Sequence, residues 1–396
     1  MIDRFKSLIF LIFLMIVFSF CDRGYYTDSG YSPYKPLLMS RSDLENGVKL
    51  LPPQDIDSVF KIVISGNHIF VGEIYKGIHI LDNSVSGTPS NNAFVAVPGI
   101  IDFVVKDSLI YANSAVDLIT ISFPDGEVID RQRDVFPELI PPDALQPNPQ
   151  FVRGLRPDST EIVAWVKNPS YDQDTNNVLL PNYLLAIQGN YLYGLVGASL
   201  VVYDISAGLP RYLVMQKVNY NFNYALSLLP DYGMFVSNAN LEVYAFEAAD
   251  NLSYKNEYTG INIATYFDLK HTNAGYYLAA SFHYFPFYWV LNNQVEIYYM
   301  GEFDRAVLDT VIKLTYPLDV RFMDSLLFVC DRGIKIFKQD STYSLVKYYT
   351  ADAQKMYFSD SLLVTLGEQN ITGYRISGDS LRPLWTLPIS MSWIIK

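Results

Sequence analysis

The chain has 396 residues, half of them hydrophobic, and can therefore bury a large core. Its formal net charge of −12 argues against nucleic acid or anionic headgroups as partners, because an acidic surface repels phosphate groups. Besides Cys21 only Cys330 is present, which excludes a disulfide framework within the body of the protein.

The N-terminus has the pattern of an export signal. Arg4 and Lys6 precede an apolar run over residues 8–18, which is too short to span a bilayer comfortably. Residues 1–20 are therefore predicted to be a signal peptide. Cys21 follows directly, as in bacterial lipoprotein signals whose cysteine is lipidated, although Phe20 stands where those signals have a small residue. We expect an outer-membrane lipoprotein, with an uncleaved N-terminal anchor as the alternative; both place the body on the same side of the membrane.

Residues 21–50 show no periodicity and are predicted to form a tether. From residue 51 to 396 one hairpin recurs seven times, with a short aromatic or aliphatic strand followed by an alternating one. A strand-rich unit of about forty residues predicts an all-β protein, a β-propeller of about seven four-stranded blades, with six or eight as alternatives. The first strands of the hairpins begin at His68, Leu109, Tyr191, Met234, Tyr277, Leu326 and Leu362.

Two segments interrupt the repeat. Residues 137–182 are rich in proline, which removes hydrogen-bond donors from a sheet, and they are predicted to be an insertion with one hairpin over 150–155 and 161–167. A degenerate eighth blade is the alternative there. The second insertion, residues 281–293, joins the second and third strands of the fifth unit. In an up-and-down blade both connections emerge on the same face.

The turn, the first strand and the alternating strand together resemble the LVIVD repeat of bacterial surface proteins. The phrase is best preserved at residues 200–204, Leu-Val-Val-Tyr-Asp, and its lead-in at residues 66–70 and 189–193. The chain is also similar to the lipoprotein subset of these proteins found in Bacteroidota. This resemblance, which covers residues 59–388, implies a surface-exposed propeller and supplies no catalytic residues.

Metal and phosphate motifs are weak. The four histidines are scattered without ligand spacing, and there is no glycine-rich phosphate loop or nucleophile elbow. Asp172, Asp174 and Asn176 have the spacing of half a calcium loop, but the expected glycine and closing glutamate are replaced, so a solvated turn is favoured. No metal site and no cofactor is predicted. Cys330 lies on a predicted strand and is interpreted as a buried, inert thiol.

The strand that precedes the turn and the hairpin in each unit is expected to be the innermost strand of its blade and to line a central channel. Charged residues there are candidates for a channel rim, which could bind a cation or simply hydrogen-bond neighbouring blades. The second interpretation is favoured, since the lysines would neutralise the carboxylates. The candidates are Lys61, Asp102, Asp268, Asp319 and Lys355.

The sharper candidate is an aromatic loop in the 281–293 insertion. Exposed aromatic side chains in a rigid loop are typical binding anchors, although the loop could instead fold over the channel mouth as a plug. The candidate partner-binding residues are Tyr284, Phe285, Phe287, Tyr288, Trp289 and, from the other insertion, Trp165.

Two functions of different classes follow. The favoured one is a non-enzymatic, monomeric envelope protein that binds or scaffolds a protein or glycan through one loop-rich face. The alternative is a metal-dependent hydrolase or lyase using the rim carboxylates, but no sequence feature brings an acid, a base and an electrophile to one place. A purely structural role stays open.

Overall fold

The structure is a computed structural model that describes most of the chain from residue 34 onward. The predicted signal peptide and the calcium-like segment at 172–176 lie outside the described residues. The described ranges are 34–85, 87–141, 159–167, 183–196, 199–217, 223–229, 232–237, 240–248, 251–259, 266–272, 275–282, 293–301, 306–340 and 342–390.

Each of the repeats forms one antiparallel sheet whose strands follow chain order, with its first strand at one edge. Six sheets in the described ranges have four strands. Blade B contains β7 (Phe103–Lys106), β8 (Leu109–Ser114), β9 (Asp117–Ser122) and β10 (Val128–Gln132), and blade C contains β12 (Tyr183–Gln188), β13 (Tyr191–Val196), β14 (Ser199–Asp204) and β15 (Arg211–Lys217). Blade D contains β16 (Asn223–Leu229), β17 (Tyr232–Ser237), β18 (Asn240–Ala248) and β19 (Asn251–Thr259), and blade E contains β20 (Tyr266–Thr272), β21 (Gly275–Phe282), β22 (Gln294–Gly301) and β23 (Val307–Lys313). Blade F contains β24 (Pro317–Met323), β25 (Leu326–Asp331), β26 (Ile334–Gln339) and β27 (Tyr343–Tyr349), and blade G contains β28 (Lys355–Ser359), β29 (Leu362–Leu366), β30 (Asn370–Ser377) and β31 (Ser380–Pro388).

Blade A, the first in the chain, has a fifth strand. It contains β3 (Val59–Ser65), β4 (His68–Glu73), β5 (Gly77–Asp82) and β6 (Ser90–Ala96), and β2 (Lys49–Leu51) pairs with the outer edge of β6. The unpaired outer edge of a sheet is open to pairing with another strand. In blade A the chain's own N-terminal segment occupies that edge.

The first strands of the blades form a closed circuit. β3 contacts β7 on one side and β28 on the other, and the contacts continue through β12, β16, β20 and β24. Because a closed circuit of radially arranged sheets defines a β-propeller, the predicted all-β propeller is confirmed. Among the described residues, the ring consists of the six four-stranded sheets and the five-stranded blade A.

The tight turns inside the blades follow the chemistry predicted from the sequence. The residue that opens the first turn is a glycine in blades A and C and an aspartate in blades B, F and G. Positive φ is tolerated by glycine and, among other residues, best by asparagine and aspartate. The φ angles are +56° at Gly66, +54° at Asp107, +57° at Gly189, +52° at Asp324 and +46° at Asp360.

Adjacent blades are held together by side chains from both faces of each inner strand. Phe60 of β3 points towards blade B, where its ring meets that of Phe103 edge-on with centroids 6.1 Å apart. Ile62 points the other way and packs in a cluster with Val364 and Trp385 of blade G. These two residues face different blades although they are two apart, because the register of β3 shifts between Val59 and Lys61. One inner strand thus contributes to two interfaces, and a single unit could not bury both of its faces alone.

The prediction of a tether over residues 21–50 is wrong for its second half. Residues 34–50 form β1 (Tyr34–Ser40), helix α1 (Arg41–Asn46) and the start of β2. The Ser40 side chain caps α1 by accepting the backbone N–H of Asp43. Leu44 is fully buried against Ala115 and Val163. Polar and apolar residues occur here in nearly equal numbers and without regular spacing, so the segment gives no periodic signal.

The first insertion contains β11 (Thr160–Lys167), so a strand predicted at 161–167 is confirmed. Its predicted partner at 150–155 lies outside the described residues. Among the described strands, β11 pairs with β1. These two strands form a separate ribbon, not a blade. Of the second insertion, residues 283–292 lie outside the described ranges, while β21 and β22 flank it as expected.

Candidate functional site

The polar groups at the centre of the ring belong to the first strands, where carboxylates bridge neighbouring blades. Asp102 lies directly before β7 and is almost fully buried. Its Oδ2 accepts the backbone N–H of Leu185 in blade C at 2.6 Å, and its Oδ1 contacts Lys61 Nζ of blade A at 2.6 Å. One carboxylate thus ties three blades together.

The same bond occurs twice more on the other side of the ring. Asp268 Oδ2 accepts the backbone N–H of Phe322 at 2.7 Å, from blade E to blade F. Asp319 Oδ2 accepts the backbone N–H of Met356 at 2.8 Å, from blade F to blade G. We call Asp102, Asp268 and Asp319 the inter-blade aspartates, since each accepts a backbone N–H from the first strand of the next blade.

Arg321 lies beside two of these carboxylates and was not among the residues predicted from the sequence. Its Nη2 lies 3.5 Å from Asp319 Oδ1 and its Nη1 lies 3.9 Å from Asp268 Oδ1. The signal that could have found it is its spacing: Arg321 follows Asp319 by two residues in the same strand, and residues two apart share a face.

Burial has the largest effect on the pKa of Asp268, Asp319 and Lys355. It raises the pKa of Asp268 and of Asp319, and the nearby Arg321 guanidinium only partly opposes that shift. Burial also lowers the pKa of Lys355 to about 8, against the attraction of Asp319. Of the five predicted rim residues, Lys61 pairs with Asp102, while Asp268 and Asp319 lie beside Arg321. Lys355 lies near both groups and interacts with charges of each.

Within the described ranges no group of three or more His, Cys, Asp or Glu side chains could hold a metal ion. His79 is fully buried with its Nε2 3.2 Å from Glu73 Oε1, while His271 is exposed and stacks on Tyr276. His283 and the Asp172 segment lie outside the described residues.

A cavity of about 460 Å³ opens in the channel next to Arg321. It lies among the first strands of blades A, E, F and G. Its polar lining consists of Arg321, Asp268 and Tyr357, and the rest is apolar or aromatic. The apolar lining residues are Ile62, Val63, Ile64, Phe322, Met323, Met356 and Phe358.

The two insertions emerge on one face of the ring, which we call the loop-rich face. The chain between β10 and β12 joins a fourth strand to a first strand, and the chain between β21 and β22 joins a second to a third. In blades whose strands alternate in direction, both connections lie at the end where the first strand begins. Asp102 and Asp319, near the starts of their strands, lie towards the same face.

Trp165 is wrongly predicted as a partner-binding residue. Only 5% of it is exposed, and its Nε1 donates to the backbone oxygen of Leu139 at 3.0 Å. It packs into the core that joins the ribbon to blade B, since the ribbon strand β11 alternates and presents this residue inward. Tyr284, Phe285, Phe287, Tyr288 and Trp289 lie outside the described residues.

The ribbon and α1 cover the loop-rich face of blade B. Asp117, at the start of β9, is fully buried between two arginines: Arg41 Nη2 of α1 lies 2.9 Å from its Oδ1, and Arg131 Nη1 lies 2.7 Å from its Oδ2. The backbone N–H of Asp134 also donates to it. Because Asp117 of blade B pairs with Arg41 of α1, this buried carboxylate attaches the N-terminal segment to the propeller.

Cys330 is fully buried in β25, as predicted. Burial raises the pKa of its thiol well above the ordinary value, with the negative charge of Asp319 adding to the shift. A buried thiol that resists ionisation is a poor nucleophile, so the structure supports the inert interpretation.

No helix in the described ranges is long and apolar enough to cross a membrane; the helix they contain, α1, has six residues. That finding concerns residues 34–390 apart from the gaps given above.

Comparison with known proteins supports the fold. No family model matches the sequence, and the curated proteins include no significant match. A protein from Lactobacillus plantarum is similar with a TM-score of 0.54 at 10% identity, over 86% of this chain and 98% of that chain. A functionally unknown protein from Desulfotomaculum acetoxidans has a TM-score of 0.52 at 10% identity, over 82% and 99%.

A third solved structure, a candidate 6-phosphogluconolactonase from Bacteroides fragilis, has a TM-score of 0.51 at 11% identity, over 89% of this chain and all of that chain (100%). Identities this low establish a shared β-propeller architecture and nothing about activity, because one fold carries many functions. The protein is a β-propeller of repeated antiparallel blades.

Proposed function

We propose that this protein is a non-enzymatic propeller of the cell envelope that binds or scaffolds a protein or glycan partner through its loop-rich face. The observation that carries the proposal is topological: both long departures from the blade repeat emerge on one face of the ring. Binding sites of repeat scaffolds are commonly built from such loops on a rigid frame.

The contacts of the inter-blade aspartates favour binding over catalysis. A general acid or a metal ligand needs lone pairs directed at a substrate or an ion. Asp102 and Asp319 instead direct theirs at backbone N–H groups of the next blade, with 3% and 0% of each residue exposed. The metal-dependent hydrolase or lyase is therefore the less favoured function.

The aromatic loop supplies the proposed anchors. Tyr284, Phe285, Phe287, Tyr288 and Trp289 fall between Phe282, the last residue of β21, and Gln294, the first of β22. Aromatic side chains offer a large contact area at a low cost in conformational entropy. The proposal places them as the centre of the partner contact.

We propose, further, that the protein is an LVIVD-repeat lipoprotein of the outer membrane, held there by a lipid on Cys21, and that it acts as a monomer. The support is the sequence alone: the signal-like residues 1–20, the cysteine that follows, and the repeated phrase at residues 200–204.

The loop part of the proposal is tested by replacing residues 283–292 with Asn-Gly in the full chain. Chemical crosslinking in native envelopes should then lose the partner adduct, while the thermal unfolding midpoint stays unchanged. The control replaces Gly378-Asp379, a turn on the opposite face between β30 and β31, with Asn-Gly. Retained adducts in the loop variant, or its failure to fold, would show that the loop is not the binding surface.

The anchor part is tested by metabolic labelling with a palmitate analogue. Label should enter the wild type and be lost in Cys21→Ser, whereas Cys330→Ser should keep it, because the second thiol is buried in β25. An unlabelled wild-type protein in the membrane fraction would leave the uncleaved anchor as the correct interpretation.

A further inference from the structure

We propose that the channel cavity beside Arg321 binds a neutral saccharide, whose adjacent hydroxyl groups pair with Arg321 and Asp268. This site is separate from the loop-rich face and does not depend on the aromatic loop. It rests on the cavity, on the incomplete contacts of two charged side chains, and on the aromatic residues around them.

Arg321 has hydrogen-bonding capacity that its protein contacts do not use. Its contacts are all long: 3.5 Å from Nη1 to the backbone oxygen of Phe267, 3.9 Å to Asp268 and 3.5 Å to Asp319. Hydrogen bonds of full strength from a guanidinium are about 2.7–2.9 Å long. The comparable pair on the other side of the ring, Lys61 and Asp102, is 2.6 Å apart.

Asp268 likewise keeps part of its acceptor capacity. It accepts the backbone N–H groups of Phe322 and Leu269, and a carboxylate has about four acceptor positions. Its side chain is 21% exposed and that of Arg321 is 34% exposed, although protein surrounds both. Solvent therefore reaches them through the channel, where both line the cavity.

The free donor capacity of the Arg321 guanidinium lies next to the free acceptor capacity of Asp268, and this pair favours a ligand with adjacent hydroxyl groups. A hydroxyl group can accept from the guanidinium while its neighbour donates to the carboxylate, so a vicinal diol matches both at once. A simple anion would meet two carboxylates beside Arg321, and a simple cation would meet the guanidinium. A neutral ligand avoids both penalties.

The walls of the cavity are partly aromatic. Phe322, Tyr357 and Phe358 line the cavity and provide faces against which the C–H surface of a sugar ring can pack. The cavity of about 460 Å³ lies within the range of about 300–1,000 Å³ that is typical of small-molecule sites. That volume suits a saccharide of one or two units.

The test is a titration of the full chain with glucose, galactose, mannose, N-acetylglucosamine and their common disaccharides, followed by calorimetry and ligand-observed NMR. At least one should bind at millimolar concentration or below. Asp268→Asn and Arg321→Lys should weaken that sugar by about tenfold to a hundredfold, the loss expected for a hydrogen bond to a charged group. The matched control Asp102→Asn, an inter-blade aspartate away from the cavity, should bind normally.

Phe358→Leu provides a second test that leaves every inter-blade aspartate in place, should either polar variant fail to fold; it should weaken the sugar as well. The loop variant described above should keep its sugar affinity, which separates this proposal from that of the loop-rich face. Absence of binding by every sugar, unchanged affinity in all three cavity variants, or tighter binding of an acetylated, amidated tripeptide would overturn the proposal.

Discussion

Asp102 and Asp268 perform the same task on opposite sides of the ring, in different surroundings. Both accept a backbone N–H from the next blade. Asp102 also holds a lysine at 2.6 Å and its side chain is 4% exposed, whereas Asp268 meets its arginine at 3.9 Å and is 21% exposed. The hydrogen bond between blades is thus enclosed by protein at Asp102 and lies beside a cavity at Asp268. Only at Asp268 are polar groups left that a ligand could contact.

The largest expected effect is the removal of the buried carboxylate. Asp102→Ala leaves Lys61 and the backbone N–H of Leu185 without their partner, and breaking a buried ion pair costs about 3–5 kcal/mol. Asp268→Ala leaves the backbone N–H groups of Phe322 and Leu269 without this acceptor, beside a channel that water can reach, so we expect about 1–2 kcal/mol. Urea unfolding of the two variants measures the difference, and equal losses would mean that the two sites are equivalent.

A smaller effect distinguishes charge from hydrogen bonding. Asparagine can still accept the backbone N–H but carries no charge. Asp102→Asn loses the ion pair with Lys61 and should cost about 1.5–3 kcal/mol. Asp268→Asn should be close to neutral at pH 7, because burial raises the pKa of Asp268 and so penalises its ionised form in the folded state. A large loss of stability in Asp268→Asn would contradict this account.

The smallest effect concerns Lys355, which lies near both groups. Its pKa is lowered to about 8 in the folded protein from an ordinary value of 10.5, so the unfolded chain binds more protons between these values. The free energy of unfolding of the wild type, relative to Lys355→Met, should rise by about 1–2 kcal/mol from pH 8 to pH 10.5 and stay level below pH 8. This is less than the full pKa shift corresponds to, because the side chain is partly exposed and solvent screens its charge. Thermal melts of both proteins across that range provide the measurement, and a difference that falls with pH would contradict the direction.

Much of the architecture was predictable because the repeat is local. Gly66, Asp107 and Asp324 stand where a hairpin needs positive φ, and alternation in the following strands assigns one face to each neighbour. The N-terminal ribbon was not predictable: β1 pairs with β11, which lies more than a hundred residues away, and one buried leucine in α1 has no periodicity to reveal it.

The candidate site was predicted in part. The positions of Asp102, Asp268 and Asp319 before or within first strands placed them at the channel, and the favoured interpretation was that they bond to neighbouring blades. The prediction for Trp165 was wrong, because an aromatic residue on an amphipathic strand gives the same pattern whether its face meets solvent or the core beside Leu139.

The amino-acid sequence by itself determined the blade: the length of each hairpin, its turn residues and the alternation that makes each sheet two-sided. It did so because these features depend on neighbours within about forty residues. The contacts between blades were decided only by the tertiary structure, when the ring closed. Arg321 lies beside Asp268, and Asp319 beside Met356, only because blades E, F and G dock at a set angle, and no local spacing encodes which side chains then share a channel.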